Sequence, residues 1–491
     1  MRLKRREFLK AISSLPLAAA AAPAIFAVQP GVLVNDTQTG WNPTLVERIE
    51  RPRSAAEVQS IIRDCVKNRR VISTSGSRHA TGGQQFAAGS VLLDMRSMNA
   101  VSGLDPRTGI LAVESGVEWP ELIQGYLDLQ KDDPRWGIRQ KQGGANRMSI
   151  GGTLSANAHG HSLGAPPIVA DVEWLEIVTA DGKLHHCNRK QERELFSLAV
   201  GGYGLFGVIT SAGLRLVPRR KVRRRVETRT AAELMGLIEK RTKAGAPYGY
   251  FQYNVDETSL EFLRTGILTT YEVVPDSTPL GQSATDMDEE TLAALLKLAH
   301  QDRKSAYGRY ARFELALDGN VEWSDLHQLS TYPAGYHKKI EQLLGPESEG
   351  ADLIWEFYVQ RRDLIPFLED ARFLFQKSEL PLIYGTVRFI EQDRDTFLPW
   401  ARKRYACVIF TPHCGSAEPE KKKAADLYRH LVQRALKKDG SFYLTYNRFA
   451  TLAETQAAYP AFPSFLQMKR KYDPDELFQS EWYRYYRDSH A

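Results

Sequence analysis

Three glycine-rich segments constrain this chain more than anything else in it. They are Ser75–Gln84 (SGSRHATGGQ), Gly143-Gly144 followed by Gly151–Gly160 (GGTLSANAHG), and Gly201–Gly207 (GGYGLFG). The total of 36 glycines in 491 residues is ordinary, so their concentration carries the signal. Without a Cβ, a glycine loop lets backbone N–H groups approach an anion closely. Three such loops in the front half imply a long, phosphate-bearing ligand lying across it.

The flanking sequence places these loops. Leu45–Ile49 reads as a strand closed by Arg51-Pro52, and Ser54 as the N-cap of a helix with Val58, Ile61, Ile62, Cys65 and Val66 at helical spacing. Val71–Thr74 is the next strand and runs directly into the first glycine segment. Loops at the carboxyl ends of strands in such β-α-β units are where ligands bind. Further strands are expected at Val91–Asp94, Gly109–Glu114, Val172–Thr179 and Val208–Val217, with a helix at Trp119–Leu127. Gly202-x-Gly204-x-x-Gly207 formally matches the dinucleotide fingerprint. That motif needs a strand before it and a helix after it. Glu194–Ala199 reads as helix and Val208–Val217 as strand, so an NAD site is rejected. Arg219–Arg225 (RRKVRRR) reads as a solvated linker at a domain boundary. It lacks interleaved aromatics, so nucleic acid is not an expected partner. Behind it, helices at 231–243, 288–300 and 421–438 alternate with strand-like Leu353–Val359 and Ala406–Thr411.

The amino terminus reads as an export address. MRLKRREFLK precedes the apolar run Ala11–Ala27, with the pair Arg5-Arg6 before Phe8-Leu9-Lys10, a pattern similar to bacterial twin-arginine signals. Pro16 and Pro23 argue against a retained anchor, and no other segment is apolar enough to span a bilayer. The expected mature protein is periplasmic or secreted, with the twin-arginine machinery as an export partner and residues 1–27 removed. That segment also holds four of the six net positive charges. The four cysteines form no CxxC. Cys407 and Cys414 are close enough in sequence to pair, but four buried thiols are the simpler expectation. His159-Gly160-His161 lacks a third ligand nearby, so no metal is expected.

Arg78-His79-Ala80-x-Gly82-Gly83-Gln84 after a strand, then GGTLSANAHG, then GGYGLFGVIT, resembles the flavin-binding (PCMH-type) domain of the vanillyl-alcohol oxidase superfamily. Aldonolactone and alditol oxidases, cytokinin dehydrogenase and a sterol reductase branch are among its members. The resemblance covers residues 42–218 and the tail Lys471-Tyr472-Asp473-Pro474-x-x-x-Phe478. It implies an α+β fold: a two-subdomain FAD-binding domain over 42–218, an α+β substrate cap with an antiparallel sheet over 219–440, and 441–491 returning to the flavin. FAD is the implied cofactor. Ser75, Gly76, Ser77, Arg78 and Ala80, in the loop that ends at Gln84, would cradle the pyrophosphate. Gly151, Gly152, Thr153, Ser155 and Asn157 would line the remaining phosphate and the ring system, and Gly207 and Ile209 the adenine half. His79 stands where related oxidases bond a histidine to the flavin 8α carbon, a role suited to a neutral, nucleophilic imidazole.

On the substrate side, Tyr384–Arg388 resembles the stretch where alditol oxidase presents a glutamate and an arginine to the flavin. Arg388 matches the arginine, and Thr386 stands in place of the glutamate. Phe410–His413 partly matches the next strand of that site, making His413 a candidate. Tyr443–Arg448 is similar to the C-terminal strand that reaches back to the flavin, with Tyr446 as acid/base or pocket wall. The expected activity is oxidation of a CH–OH group on a sugar-like alcohol or lactone with O2 as the acceptor, so the partners are a small-molecule substrate and O2 or another electron acceptor. One rival is a dehydrogenase or reductase of a hydrophobic or lipid-linked substrate. The other is a periplasmic binder of a nucleotide-like ligand without catalysis.

Overall fold

The computed structural model describes residues 31–131, 133–281, 286–333, 335–345 and 349–488. The export segment expected at 1–27 lies outside them. The first subdomain is a parallel three-stranded sheet in which Val91–Asp94 lies between Arg48–Glu50 and Ile72–Ser75. The helix Ala55–Lys67 packs on it through Val58, Ile62 and Cys65, and Ser54 Oγ accepts from Glu57 N–H at its start. The second subdomain is an antiparallel five-stranded sheet in the order Leu184–Asn188, Val172–Val178, Val208–Arg215, Ile110–Glu114, Val101–Leu104. The helix Arg193–Ala199 precedes the third glycine loop and a strand follows it, the reverse of the order a dinucleotide fingerprint requires.

A nine-stranded antiparallel sheet forms the cap. Its main path runs Val321–Trp323, Lys221–Thr230, Thr265–Val274, Gly249–Tyr253, Leu382–Ile390, Tyr405–Gly415, Trp355–Gln360, Ser441–Phe442. The helix Glu418–Leu436 covers one face, and its buried Leu427, Tyr428 and Leu431 join the main core. The tail motif has a structural use. Asp473 accepts from the backbone N–H groups of Leu477 and Phe478, and the turn it fixes inserts Phe478 into the core of the parallel sheet. Among the described residues no helix is long and apolar enough to cross a membrane.

The basic stretch corrects one expectation. Lys221–Thr230 is a strand well inside the cap sheet, not a solvated linker. Alternation explains it: Val222, Arg224 and Val226 share the buried face, while Lys221, Arg223 and Arg225 take the other. Arg224 is paired with Glu314 at 2.7 Å, so its burial leaves no lone charge. The thiols of Cys65, Cys187, Cys407 and Cys414 are free and buried, and Cys407 and Cys414 lie on opposite faces of one strand.

Asp325 fastens the cap sheet to the glycine-loop half of the chain. Its Oδ2 accepts from Arg219 Nε at 2.7 Å and from Tyr126 Oη at 2.7 Å, and all three side chains are buried. Arg219 also lies over Trp323, with its guanidinium carbon 4.1 Å from the ring centre. Asp325→Ala strands a buried guanidinium and is expected to cost about 3–5 kcal/mol. Denaturant unfolding measures this, and a loss under about 1 kcal/mol would remove the fastening role.

Candidate active site

Two cavities adjoin the glycine loops. The smaller, about 90 Å³, is lined by Ser75, Gly76, Ala80 and Gln84 from the first loop and Gly151, Gly152 and Ser155 from the second. Gly207 and Ile209 of the third complete it. The glycines are sterically required. A Cβ at Gly76 would stand 1.9 Å from Ser149 Oγ, and Gly207 (φ +147°) passes so close that a Cβ would meet Val178 O at 2.6 Å. The Thr74, Ser75 and Ser115 hydroxyls reach this cavity buried and without a hydrogen-bond partner among the described residues. Buried hydroxyls are seldom left unpaired, and three converging on a glycine-walled cleft fit a phosphate-bearing group.

The remaining cofactor candidates divide. Arg78 adopts φ +63°, which turns the loop, and its guanidinium stands 3.4 Å from Asp94. Ser77 Oγ donates to Glu118 at 2.6 Å, and Thr153 Oγ1 to Ser149 O at 3.0 Å. Gln84 ties the first loop to the C-terminal segment: its Oε1 accepts from Gly82 N–H and its amide donates to Leu444 O. Thr81 and Gly82 N–H both donate to Thr445 O. Asn157 lines neither cavity. Its side chain is committed to Asp393 at 2.9 Å and to Val169 N–H at 3.2 Å, so it orders the loop from behind.

The larger cavity, about 480 Å³, opens between the first two loops and one face of the cap sheet. His79 lines it. The His79 Nε2–H donates to Arg147 O at 2.8 Å, which leaves the lone pair on Nδ1, and burial lowers its pKa so that the ring is neutral. Arg388 lies against the second loop, where a Cβ at Gly143 would be 2.3 Å from its guanidinium. Lys141 is buried beside it. Burial, reinforced by the Arg388 charge, pulls that amine down to about 7, and backbone carbonyls of Gln142 and Ala145 accept its protons.

Tyr446 Oη donates to Glu356 Oε1 at 2.8 Å, and the other carboxylate oxygen is bonded to His159 Nε2 and Tyr358 Oη, each at 2.8 Å. Burial alone would raise the Glu356 pKa. The attraction and hydrogen bond of His159, with Arg388 nearby, hold it down to about 2. Burial and the Glu356 charge push Tyr446 far up, so its phenol keeps its proton.

His413 is placed elsewhere. It does not line the cavity but bonds Asp352 Oδ1 at 2.8 Å, with His300 Nε2 at 2.9 Å on the same oxygen and Tyr336 Oη on the other. Register explains this, because His413 pairs with Asp352 beyond the part of the strand that faces the loops. Arg388 and Tyr446 do meet in one cavity, together with Glu356, which the sequence reading passed over. The signal was available: Glu356 is the one acid in the apolar run LIWEFYV, and such a buried acid needs a reason. His161 pairs with His327 (Nε2 to Nε2, 3.3 Å), and burial lowers the pKa of both rings, that of His327 to about 3.

Residues 46–188 match the family model described as an FAD binding domain. With the loop geometry above, the chain carries an FAD-binding domain of the PCMH type, on an α+β fold. Its relatives include an uncharacterized oxidoreductase, ORF5 in the fasciation locus of Rhodococcoides fascians, 34% identical over 34% of this chain and 36% of that protein. A putative D-arabinono-1,4-lactone oxidase of Neurospora crassa is 26% identical over 38% and 32%. The matches thus span about a third of these two relatives. An L-gulono-1,4-lactone dehydrogenase of Mycobacterium tuberculosis is 23% identical over 89% of this chain and 95% of that protein.

Glu356 makes stability depend on acid. A carboxyl whose folded pKa is depressed contributes stability above its unfolded value, near 4.5, and loses it as pH falls toward about 2. Thermal melts should therefore be flat for this group from pH 5 to 8 and fall below about 4.5, a fall reduced in Glu356→Gln. Identical acid limbs in the two proteins would contradict the assignment.

Proposed function

We propose that the chain is an FAD-dependent oxidoreductase that oxidises a CH–OH group of a sugar-like alcohol or lactone. The observation that carries this reading is the convergence of Arg388, Tyr446 and Glu356 on the cavity that His79 and the second glycine loop also line. Two relatives named for lactone substrates support it. Bound FAD supplies the hydride acceptor. The residues of the chain handle charge and proton. Tyr446 donates its hydroxyl hydrogen bond to Glu356, so its Oη lone pairs are the acceptors offered to a substrate hydroxyl. When the substrate carbon loses hydride, its oxygen becomes that of a protonated carbonyl, a strong acid. A carboxylate held near 2 then suffices: the substrate proton moves to Tyr446 Oη as the tyrosine proton moves to Glu356 Oε1. Arg388 places a cation beside the loop where negative charge grows.

The test is anaerobic flavin reduction with a panel of polyols, aldonolactones and alkyl glycosides. Bleaching by one of them is expected, and Tyr446→Phe should slow it by about 10²–10⁴ with little change in half-saturation. Hydrogen peroxide formed in proportion on admitting air marks oxygen as the acceptor. A panel that leaves the flavin oxidised, or Tyr446→Phe at the wild-type rate, would overturn the reading.

We also propose that His79 is the covalent attachment point for the flavin, supported by its neutral ring, its free Nδ1 lone pair and its place on the cavity wall. Flavin fluorescence should remain with the denatured chain and vanish from it in His79→Ala. Complete release from the wild-type chain by acid would contradict this.

A further inference from the structure

Beyond Arg388 and Tyr446 the larger cavity changes character. Its roof there is a helical pair, Glu289–Gln301 and Arg303–Ala316. The inward side chains Leu292, Leu295, Ala299 and Phe313 join Met287 and Ile383 in a hydrophobic cluster that is separate from the main core, and all six line the cavity. A helical pair that packs its apolar side fully onto a sheet leaves no such cluster facing open space.

The opposite floor, the cap sheet, carries polar side chains, but they are engaged with one another or with Tyr310 and Glu314 of the second roof helix. The Gln252 amide donates to Tyr384 Oη at 2.9 Å, while its oxygen accepts from Tyr310 Oη. Arg224 donates to Glu314 at 2.7 Å and to Tyr250 Oη at 3.0 Å. His161 and His327 bond each other, and burial keeps both rings neutral. A hydroxyl-rich ligand placed here would give up water hydrogen bonds for donors and acceptors that already have partners, which is unfavourable. Apolar matter would give up nothing. The floor runs from the strand of Arg388 across three strand spacings to the strand of Arg224, about 14 Å. Away from Arg388 and Tyr446 the cavity therefore sets an apolar wall against polar groups that already have partners.

Resting on the oxidoreductase reading above, we propose that the substrate is an amphiphile. A hydroxylated head presents its CH–OH to Tyr446, and a hydrocarbon or aromatic portion lies along Leu292, Leu295, Ala299, Phe313 and Ile383. These side chains are the specificity determinants that distinguish it from a bare sugar or lactone.

Methyl, butyl and octyl β-D-glucosides, kept below micelle formation, test this by calorimetric titration of the flavin-loaded chain. Affinity should rise about fourfold per added methylene, because each buried methylene is worth about 0.8 kcal/mol. In Leu295→Glu the rise should disappear. Phe313→Ala, which removes bulk without adding charge, should flatten it and serves if the first variant does not fold. Equal affinity for the methyl and octyl compounds, an octyl compound that does not bind, or a chain-length dependence unchanged in both variants would overturn the proposal. If a small lactone reduces the flavin while the octyl compound gains nothing, the amphiphile is wrong and the oxidoreductase reading stands. A chain that takes up no flavin removes the underlying reading instead.

Discussion

An ionised carboxylate buried in a protein interior is tolerated only when donors surround it, and Glu356 draws its donors from separate parts of the chain. His159 comes from the end of the second glycine segment, Tyr358 from the cap strand that carries Glu356 itself, and Tyr446 from the C-terminal segment. Cys407 approaches from the neighbouring strand at 3.6 Å. Displacing any of these groups would cost the buried charge one of its hydrogen bonds or its thiol contact. The flavin module, the cap and the returning tail are therefore held in one relative arrangement, and the cavity lies where they meet. The group that fixes the arrangement also sets the proton on Tyr446, so architecture and chemistry depend on one side chain.

The glycine loops and the cap sheet divide the remaining work. The loops offer backbone without side chains, with the Thr74, Ser75 and Ser115 hydroxyls beside them unpaired among the described residues, which suits a phosphate-bearing cofactor held mainly by main chain. The cap sheet offers one broad face of side chains. Strand alternation across Lys221–Thr230, Thr265–Val274, Gly249–Tyr253 and Leu382–Ile390 puts Arg224, Tyr271, Tyr250, Gln252, Thr386 and Arg388 toward the cavity. Substrate choice can thus change by substitution in the cap while the loops stay as they are.

The same division explains what was legible in the sequence. The glycine loops could be read because their cause is local: a tight turn or a close approach needs glycine at that very position. The parallel β-α-β start could be read from period and capping for the same reason. Arg388 and Tyr446 were reached through resemblance rather than pattern. The buried cap charges were not legible. Arg219 and Arg224 look like any solvated arginines until Asp325 and Glu314, about a hundred residues on, are brought to them. His413 and Asn157 line neither cavity for a related reason. Each sits beside a segment that faces a cavity, but register and local turns direct their side chains to Asp352 and Asp393. Glu356 could have been found by asking why an acid stands in an apolar strand.

The central claim is that the three glycine loops and the Glu356 hub together build one FAD site. The most direct measurement is the flavin content of the folded, purified chain, with FAD offered during refolding if the chain is colourless. The account predicts one FAD per chain. A chain that is folded by circular dichroism, has a cooperative melt and yet takes up no FAD would contradict it.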